Sequence, residues 1–150
     1  MLQVFQGLMT PLIGAIAVFI AWQQWKANER KLVLDRYDRR LRIYQRVVEF
    51  LNLALRDFRP EPLEVGRFRG DVAEADFLFG PEIPAYIAEI SKQSLESWAL
   101  HKEYRDYTQV PPEGYDHRKV VDGMHERSVW LTEQHDAARE KFRKYLDVSR

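Results

Sequence analysis

Hydrophobic and polar positions divide the chain into one uncharged segment and four stretches with helical periodicity. Residues 1–25 carry no charged side chain. At about 1.5 Å per residue, a helix of this length measures about 37 Å, more than the roughly 30 Å hydrocarbon core of a bilayer. The pattern therefore predicts a transmembrane anchor over residues 1–25 and a separate domain over residues 26–150.

The apolar content of this segment is modest. Its strongly apolar residues together contribute about −2 to −4 kcal/mol of insertion free energy, which one arginine at mid-span would cancel. They are Leu8, Leu12, Ile13, Ile16, Val18, Phe19 and Ile20. A cleaved signal peptide, or a shorter helix from Thr10-Pro11 that is buried or lies in the membrane interface, remains an alternative. We favour a span kinked at Pro11, since membrane helices tolerate proline.

The flanking residues predict how the span is oriented. Trp22 and Trp25 stand where an aromatic belt meets lipid headgroups, and Lys26, Arg30 and Lys31 follow them. Basic flanks stay in the cytoplasm, so we expect a single-pass protein of the bacterial inner membrane with its N-terminus outside and its C-terminal domain cytoplasmic. The three cations can each gain about 1 kcal/mol from anionic lipid of the cytoplasmic leaflet.

Small residues recur along one face of the predicted span, at alternating spacings of three and four. They are Gly7, Thr10, Gly14, Ala17 and Ala21. Small faces let membrane helices approach closely, which predicts packing against a protein partner or a second copy. The alternative is that glycine and alanine are simply frequent in membrane helices.

The rest of the chain is predicted to be all-α, an antiparallel bundle of three to four helices that continues directly from the span. No glycine or proline interrupts the first helix from Lys26 until Pro60. Its apolar residues form a heptad seam of Leu34, Tyr37, Leu41, Tyr44, Val48, Leu51, Leu55 and Phe58. The seam is widened by Ile43, Val47, Phe50 and Ala54, which favours a bundle core over a two-stranded coiled coil.

Three further helices follow from the same periodicity. A second is predicted over residues 63–79, weakened by Gly66 and Gly70, and a third from Pro81 to about residue 107. After the loop at 110–114, Asp116 can cap a fourth helix. The seam of that helix is Val121, Met124, Ser128, Leu131, His135, Ala138, Phe142 and Tyr145. No stretch alternates with period two long enough to predict a strand.

Composition and motifs give no indication of catalysis. Basic and acidic side chains balance at 23 each, and cysteine is absent, which excludes disulfides and thiolate chemistry. Asp122 and His125 have the spacing of a carboxylate–histidine metal pair but lack the further ligands that such sites need, and His135 reads as a core histidine. No nucleotide-binding or nucleophile motif occurs. We therefore expect no enzyme, cofactor, metal or small-molecule substrate.

The basic run over residues 36–46 interleaves cations with aromatic side chains, as some nucleic-acid surfaces do. Its aromatic residues already belong to the heptad seam. The run is therefore better explained by membrane topology, solvation and ion pairs with other helices, and we expect no nucleic acid as a partner.

Two stretches carry a resemblance to a known group of proteins. They are Leu34-Asp35-Arg36-Tyr37-Asp38-Arg39-Arg40-Leu41-Arg42-Ile43-Tyr44 and Ala75-Asp76-Phe77-Leu78-Phe79-Gly80-Pro81-Glu82-Ile83. Here the chain resembles a family of short uncharacterised bacterial membrane proteins, with one N-terminal span, a basic helix and a Phe-Leu-Phe-Gly turn. The resemblance implies this architecture and an inner-membrane setting, and it carries no catalytic or binding residue.

These patterns predict contact rather than chemistry. The first hypothesis is a membrane-anchored helical interaction module, an accessory or assembly subunit of a larger inner-membrane complex. The second is a self-associating membrane sensor or toxin-like protein that acts through the small face of its transmembrane helix.

Overall fold

The structure of the protein, a computed structural model, describes the backbone of residues 2–147 and the side chains of residues 13–147. It contains the helices α1 (Leu2–Asp57), α2 (Pro62–Asp71), α3 (Ala75–Leu78), α4 (Glu82–Glu103) and α5 (His117–Leu146). The described residues include no strand. The all-α prediction is confirmed.

The chain divides into two compact units, one up to Asp38 and one from Arg39 onward. The first is formed by α1 alone, and the second by the rest of α1 together with α2–α5. Among the described residues, no helix combines the length and the apolarity that a membrane crossing requires. The transmembrane part of the fold prediction is thus not confirmed, and Pro11 with its expected kink lies outside the described side chains.

Helix α1 ends at Asp57, slightly before the prolines that were expected to stop it. Phe58 has a φ of 55°, in the left-handed region that bulky residues rarely adopt. The Ser97 hydroxyl of α4 donates a hydrogen bond of 2.6 Å to the Phe58 carbonyl. The helix end is therefore held by a contact 39 residues away as well as by the local prolines.

The core side of α1 differs from the predicted seam. The buried residues of α1 are Ile43, Val47, Phe50, Leu51 and Ala54. Four of these are the residues expected only to widen the seam, whereas most of the heptad positions are half-buried and Leu34 is exposed. The face is centred on the widening residues because several helices cover it, as in a bundle, instead of one partner along a narrow stripe.

The predicted helix over residues 63–79 is wrong as a single element. Helix α2 ends at Asp71, a turn follows, and α3 is one further turn of helix. The helix ends one residue after Gly70, where glycine lowers the helical preference. Val65, Phe68, Val72 and Ala75 are nevertheless buried as the apolar face predicts, and Phe68 stacks on Phe50 of α1 with ring centres 4.2 Å apart.

Helices α4 and α5 complete the core of the second unit. The Tyr86 hydroxyl of α4 donates to the Gln134 carbonyl of α5 over 3.0 Å, and burial raises the pKa of Tyr86. Asp116 caps α5 as predicted, accepting from the Lys119 amide at 3.1 Å. At its first turn the buried residue is Val120 and not Val121, which is exposed, so the predicted seam is one residue out of register there.

Candidate functional site

Large apolar side chains of the first unit have no cover within the structure. Seven of them between Ile13 and Trp25 are exposed, from 49% for Ile20 to 71% for Val18. They are Ile13, Ile16, Val18, Phe19, Ile20, Trp22 and Trp25. A contiguous exposed apolar surface of this kind normally marks a protein or membrane contact. We call these residues the apolar segment.

The large side chains of the apolar segment cover about two-thirds of the circumference of the helix, and the remaining third carries the small residues Gly14, Ala17 and Ala21. At about 100° per residue, Val18 lies about 140° and Phe19 about 240° around the axis from Ile13. A helix that lies on a membrane or docks in a groove needs only one apolar face. The distribution therefore favours an environment that surrounds the helix.

The predicted interfacial anchors lie at the end of the apolar segment and are all exposed. Trp22 and Trp25 are 51% and 58% exposed, and Lys26, Arg30 and Lys31 are exposed as well. The structure brings Lys26 and Trp22 together, with the ammonium 5.1 Å from the ring centre. An ammonium over an indole ring is the favourable cation–π geometry.

The predicted small face is described only in part. Gly14, Ala17 and Ala21 are exposed, and a Cβ atom added at Gly14 would meet nothing within 4 Å. Gly7 and Thr10 lie outside the described side chains. Within the described part of the chain, this face lies open.

One exposed group in the first unit was missed at the sequence level. Leu32, Val33 and Leu34 are 66%, 70% and 60% exposed, although Leu34 was assigned to the bundle seam. Three successive residues spread over about 200° of a helix, so they cannot all face one core. The three consecutive apolar residues were therefore the sequence signal that could have identified this exposed group.

In the second unit, the two stretches of the resemblance come into contact. The Arg40 Nε donates to the Leu78 carbonyl at 2.9 Å, and its guanidinium lies 5.8 Å from the Phe79 ring and 5.2 Å from the Tyr145 ring. Phe79 also meets Tyr145 edge to face, with ring centres 5.0 Å apart. These contacts therefore join α1 and α5 to the Phe-Leu-Phe-Gly turn. We call this group of residues the Arg40 cluster; it consists of Arg40, Phe79, Gly80, Glu82, Lys144 and Tyr145.

The Tyr145 hydroxyl links the turn to the start of α4. It accepts from the Gly80 amide at 2.9 Å and donates to a Glu82 carboxylate oxygen at 2.5 Å. The Lys144 ammonium contacts the same oxygen at 2.5 Å. The hydrogen bonds from Lys144 and then from Tyr145 lower the pKa of Glu82 to about 2, and the bond to Glu82 raises the pKa of Lys144.

A side chain at Gly80 would displace its neighbours in the Arg40 cluster. A Cβ atom there would lie 2.5 Å from a Glu82 carboxylate oxygen and 2.7 Å from the Tyr145 hydroxyl. The hydrogen bonds and the ion pair named above all join members of the cluster or the turn. The arrangement fixes three elements of the bundle, and its chemistry is structural.

The histidine positions considered for a metal are separate in the structure. Asp122 and His125 are exposed on α5. His135 is half-buried, not a core residue, and its Nε2 lies 2.9 Å from the Asn52 side-chain oxygen. Across the described residues, no three histidine, aspartate or glutamate side chains are grouped as metal ligands would be.

The fold and these contacts define an all-α protein with a four-helix core unit, one single-turn helix and an exposed apolar segment. No family model matches the chain, and neither the curated proteins nor the solved structures include a match to it. The resemblance to short bacterial membrane proteins therefore stays a prediction.

Proposed function

We propose that the protein is a membrane-anchored helical interaction module, an accessory or assembly subunit of a larger inner-membrane complex. The observation that carries this proposal is the apolar segment, whose large side chains are exposed over about two-thirds of the circumference of α1, while the rest carries small uncharged residues. Lipid is an environment that surrounds a helix completely, and it offers no polar group that would need a matching side chain. The bundle is then the part that meets protein partners.

A span needs more of α1 than the apolar segment. Thirteen residues from Ile13 to Trp25 cover only about 20 Å at 1.5 Å per residue, short of the roughly 30 Å required. Helix α1 begins at Leu2, and residues 2–25 carry no charge. Those 24 residues cover about 36 Å, so the proposed anchor includes the turns before Ile13.

The charges after the apolar segment support the proposed orientation. Trp22, Trp25 and the neighbouring Lys26 occupy the end of the uncharged stretch, where aromatic and basic side chains prefer the headgroup region. Arg30 and Lys31 follow within two turns. A cytoplasmic bundle with its N-terminus outside is the topology that this order favours.

Membrane extraction tests the proposed anchor. We expect the full chain to stay with membranes in alkaline carbonate and to be released by detergent. Ile16→Arg should release it, because one mid-span arginine costs about 2.5 to 3.5 kcal/mol against a total of about −2 to −4 kcal/mol. Val129→Arg, at an exposed valine of α5, is the matched control and should leave the protein in the membrane fraction. Extraction of the unaltered chain by carbonate would contradict the anchor.

Purification in a mild detergent tests the interaction role. A C-terminally tagged chain should retain a stoichiometric protein partner or a second copy, whereas recovery as a lone monomer under several mild conditions would count against the role. Protease digestion of the tag in intact cells would contradict the proposed orientation.

The second candidate, self-association through the anchor, is favoured by the open surroundings of Gly14. A leucine there would occupy the space that a closely packed second helix needs. Gly14→Leu should abolish the signal of a membrane two-hybrid assay, and an unchanged signal would remove this candidate.

A further inference from the structure

Phe77 is an aromatic side chain that the fold leaves unused. It is 90% exposed, although its neighbours Leu78 and Phe79 pack against the core. It belongs to the one-turn helix α3. The whole ring is therefore available for contact with another molecule, and burying it there would be favourable.

A cavity of about 430 Å³ lies between the end of α2, the turn and α4. Much of its lining is small or apolar: Gly70, Val72, Ala73, Ala75, Ile87 and Ala88. Asp76, the residue directly before Phe77, also lines it. A hollow of this size, lined by apolar residues as well as by Arg69 and Asp76, is large enough to accept an aromatic side chain.

We propose that a second copy of this chain binds here, with Phe77 of each copy seated in the cavity of the other. A two-fold contact uses the same patch on both chains, so it needs a projecting group and its receptor side by side on one surface. Phe77 is exposed and directly follows Asp76, which lines the cavity, so the projecting ring and its receptor belong to one patch. The proposal rests on the interaction role above and names its partner.

Charge complementarity supports the same pairing. Arg69 and Asp76 both line the cavity, and both are exposed. A two-fold axis at the cavity brings Arg69 of one copy towards Asp76 of the other, and it does so twice. Opposite charges at the rim set the register of such a contact.

A foreign partner is less well supported. It would have to supply both a ring for this cavity and a separate hollow for Phe77, together with a charge pattern that matches Arg69 and Asp76. The chain itself already carries all of these features on one patch.

The chain contains no cysteine, so single cysteines report the contact directly. Ala73→Cys, at the cavity, should cross-link to a dimer with a short bifunctional maleimide on the full chain in mild detergent. Ala99→Cys, exposed elsewhere on α4, is the control and should stay monomeric on the gel. Absence of a cross-link at Ala73 at micromolar protein would overturn the proposal.

Equilibrium sedimentation supplies the second measurement. Phe77→Ser and the cavity-filling Ala88→Trp should each raise the dimer dissociation constant about tenfold or more, as loss of a central aromatic anchor does. Leu63→Ser removes another exposed apolar side chain outside the cavity and should leave the constant unchanged. An equal effect of Leu63→Ser would overturn the specific site.

Charge reversal makes the geometry falsifiable. Arg69→Glu and Asp76→Arg should each weaken the dimer, and the double variant should restore it towards the original constant. A double variant as weak as the single ones would overturn the Arg69–Asp76 pairing.

Failure of this inference is distinguishable from failure of the proposed function. A chain that resists carbonate but shows no cross-link at Ala73 retains the anchor and loses the two-fold contact. A chain that cross-links at Ala73 but is released by carbonate retains the contact and loses the anchor. Gly14→Leu should leave the Ala73 cross-link unchanged, because it alters the other proposed association surface.

Discussion

Removal of one oxygen atom tests the Arg40 cluster. In Tyr145→Phe the aromatic ring remains, so the edge-to-face contact with Phe79 and the stacking of the Arg40 guanidinium are kept. The hydroxyl is lost, and with it the acceptor for the Gly80 amide and one donor to Glu82.

The expected cost follows from the Gly80 amide. A buried donor left without an acceptor costs about 1 to 3 kcal/mol. Gly80 is half-buried, so water can satisfy part of its need, and the lower half of that range applies. We therefore expect Tyr145→Phe to lower the free energy of unfolding by about 1 to 2 kcal/mol. Tyr145→Leu also loses the ring contacts, so it should cost more than Tyr145→Phe. The aromatic pair contributes about 0.5 to 1.5 kcal/mol and the cation–π contact about 0.5 to 1 kcal/mol.

Urea unfolding of the full chain in mild detergent, followed by circular dichroism at 222 nm, measures both variants. Tyr44→Phe is the matched control, because its ring also packs on the core aromatic residue Phe142 while its hydroxyl is no part of the cluster. A Tyr145→Phe protein as stable as the unaltered chain would refute the view that this hydroxyl holds the turn.

Three further predictions concern the same unit and use the same unfolding assay. Phe142→Ala should cost about 3 to 5 kcal/mol, since the ring is fully buried, while Phe77→Ala should change stability little; equal losses would contradict the assigned core. Gly80→Ala should lower the free energy of unfolding by about 1 to 3 kcal/mol through its clash with Glu82 and Tyr145. Gly66→Ala is the control: its Cβ would meet nothing within 4 Å, and it should raise that free energy by up to about 1 kcal/mol. A stabilising Gly80→Ala would contradict the close approach. The pKa of Glu82 is lowered from 4.5 to about 2, so the contribution of its carboxylate to stability is complete above about pH 4.5 and is lost as the pH falls towards 2. Glu82→Gln should therefore reduce the loss of stability across that window. An unchanged pH profile would contradict the contact with Lys144.

The helical architecture could be predicted from sequence because it depends on local signals. Prolines after α1, Asp116 before α5 and the periodic apolar residues each act within a few positions. The break between α2 and α3 was missed, since the apolar spacing continues through it from Val65 to Ala75. Periodicity reports which residues face the core and does not require that the helix between them be unbroken.

The contacts that define the surface depend on long-range packing, and sequence alone could not supply them. Arg40 stood in a basic run interpreted by topology and solvation, yet its partner is the Leu78 carbonyl, 38 residues away. In the continuous helix that the sequence predicts, Phe77 and Phe79 lie about 200° apart, so one of them is expected to point away from the core. Which of the two does so is decided by α1 and α5, whose Arg40 and Tyr145 engage Phe79. Phe77 is the ring that remains exposed. The residue available for an interaction is thereby set by the same contacts that stabilise the turn, so variants of the Arg40 cluster should also weaken the two-fold contact that Phe77 is proposed to make.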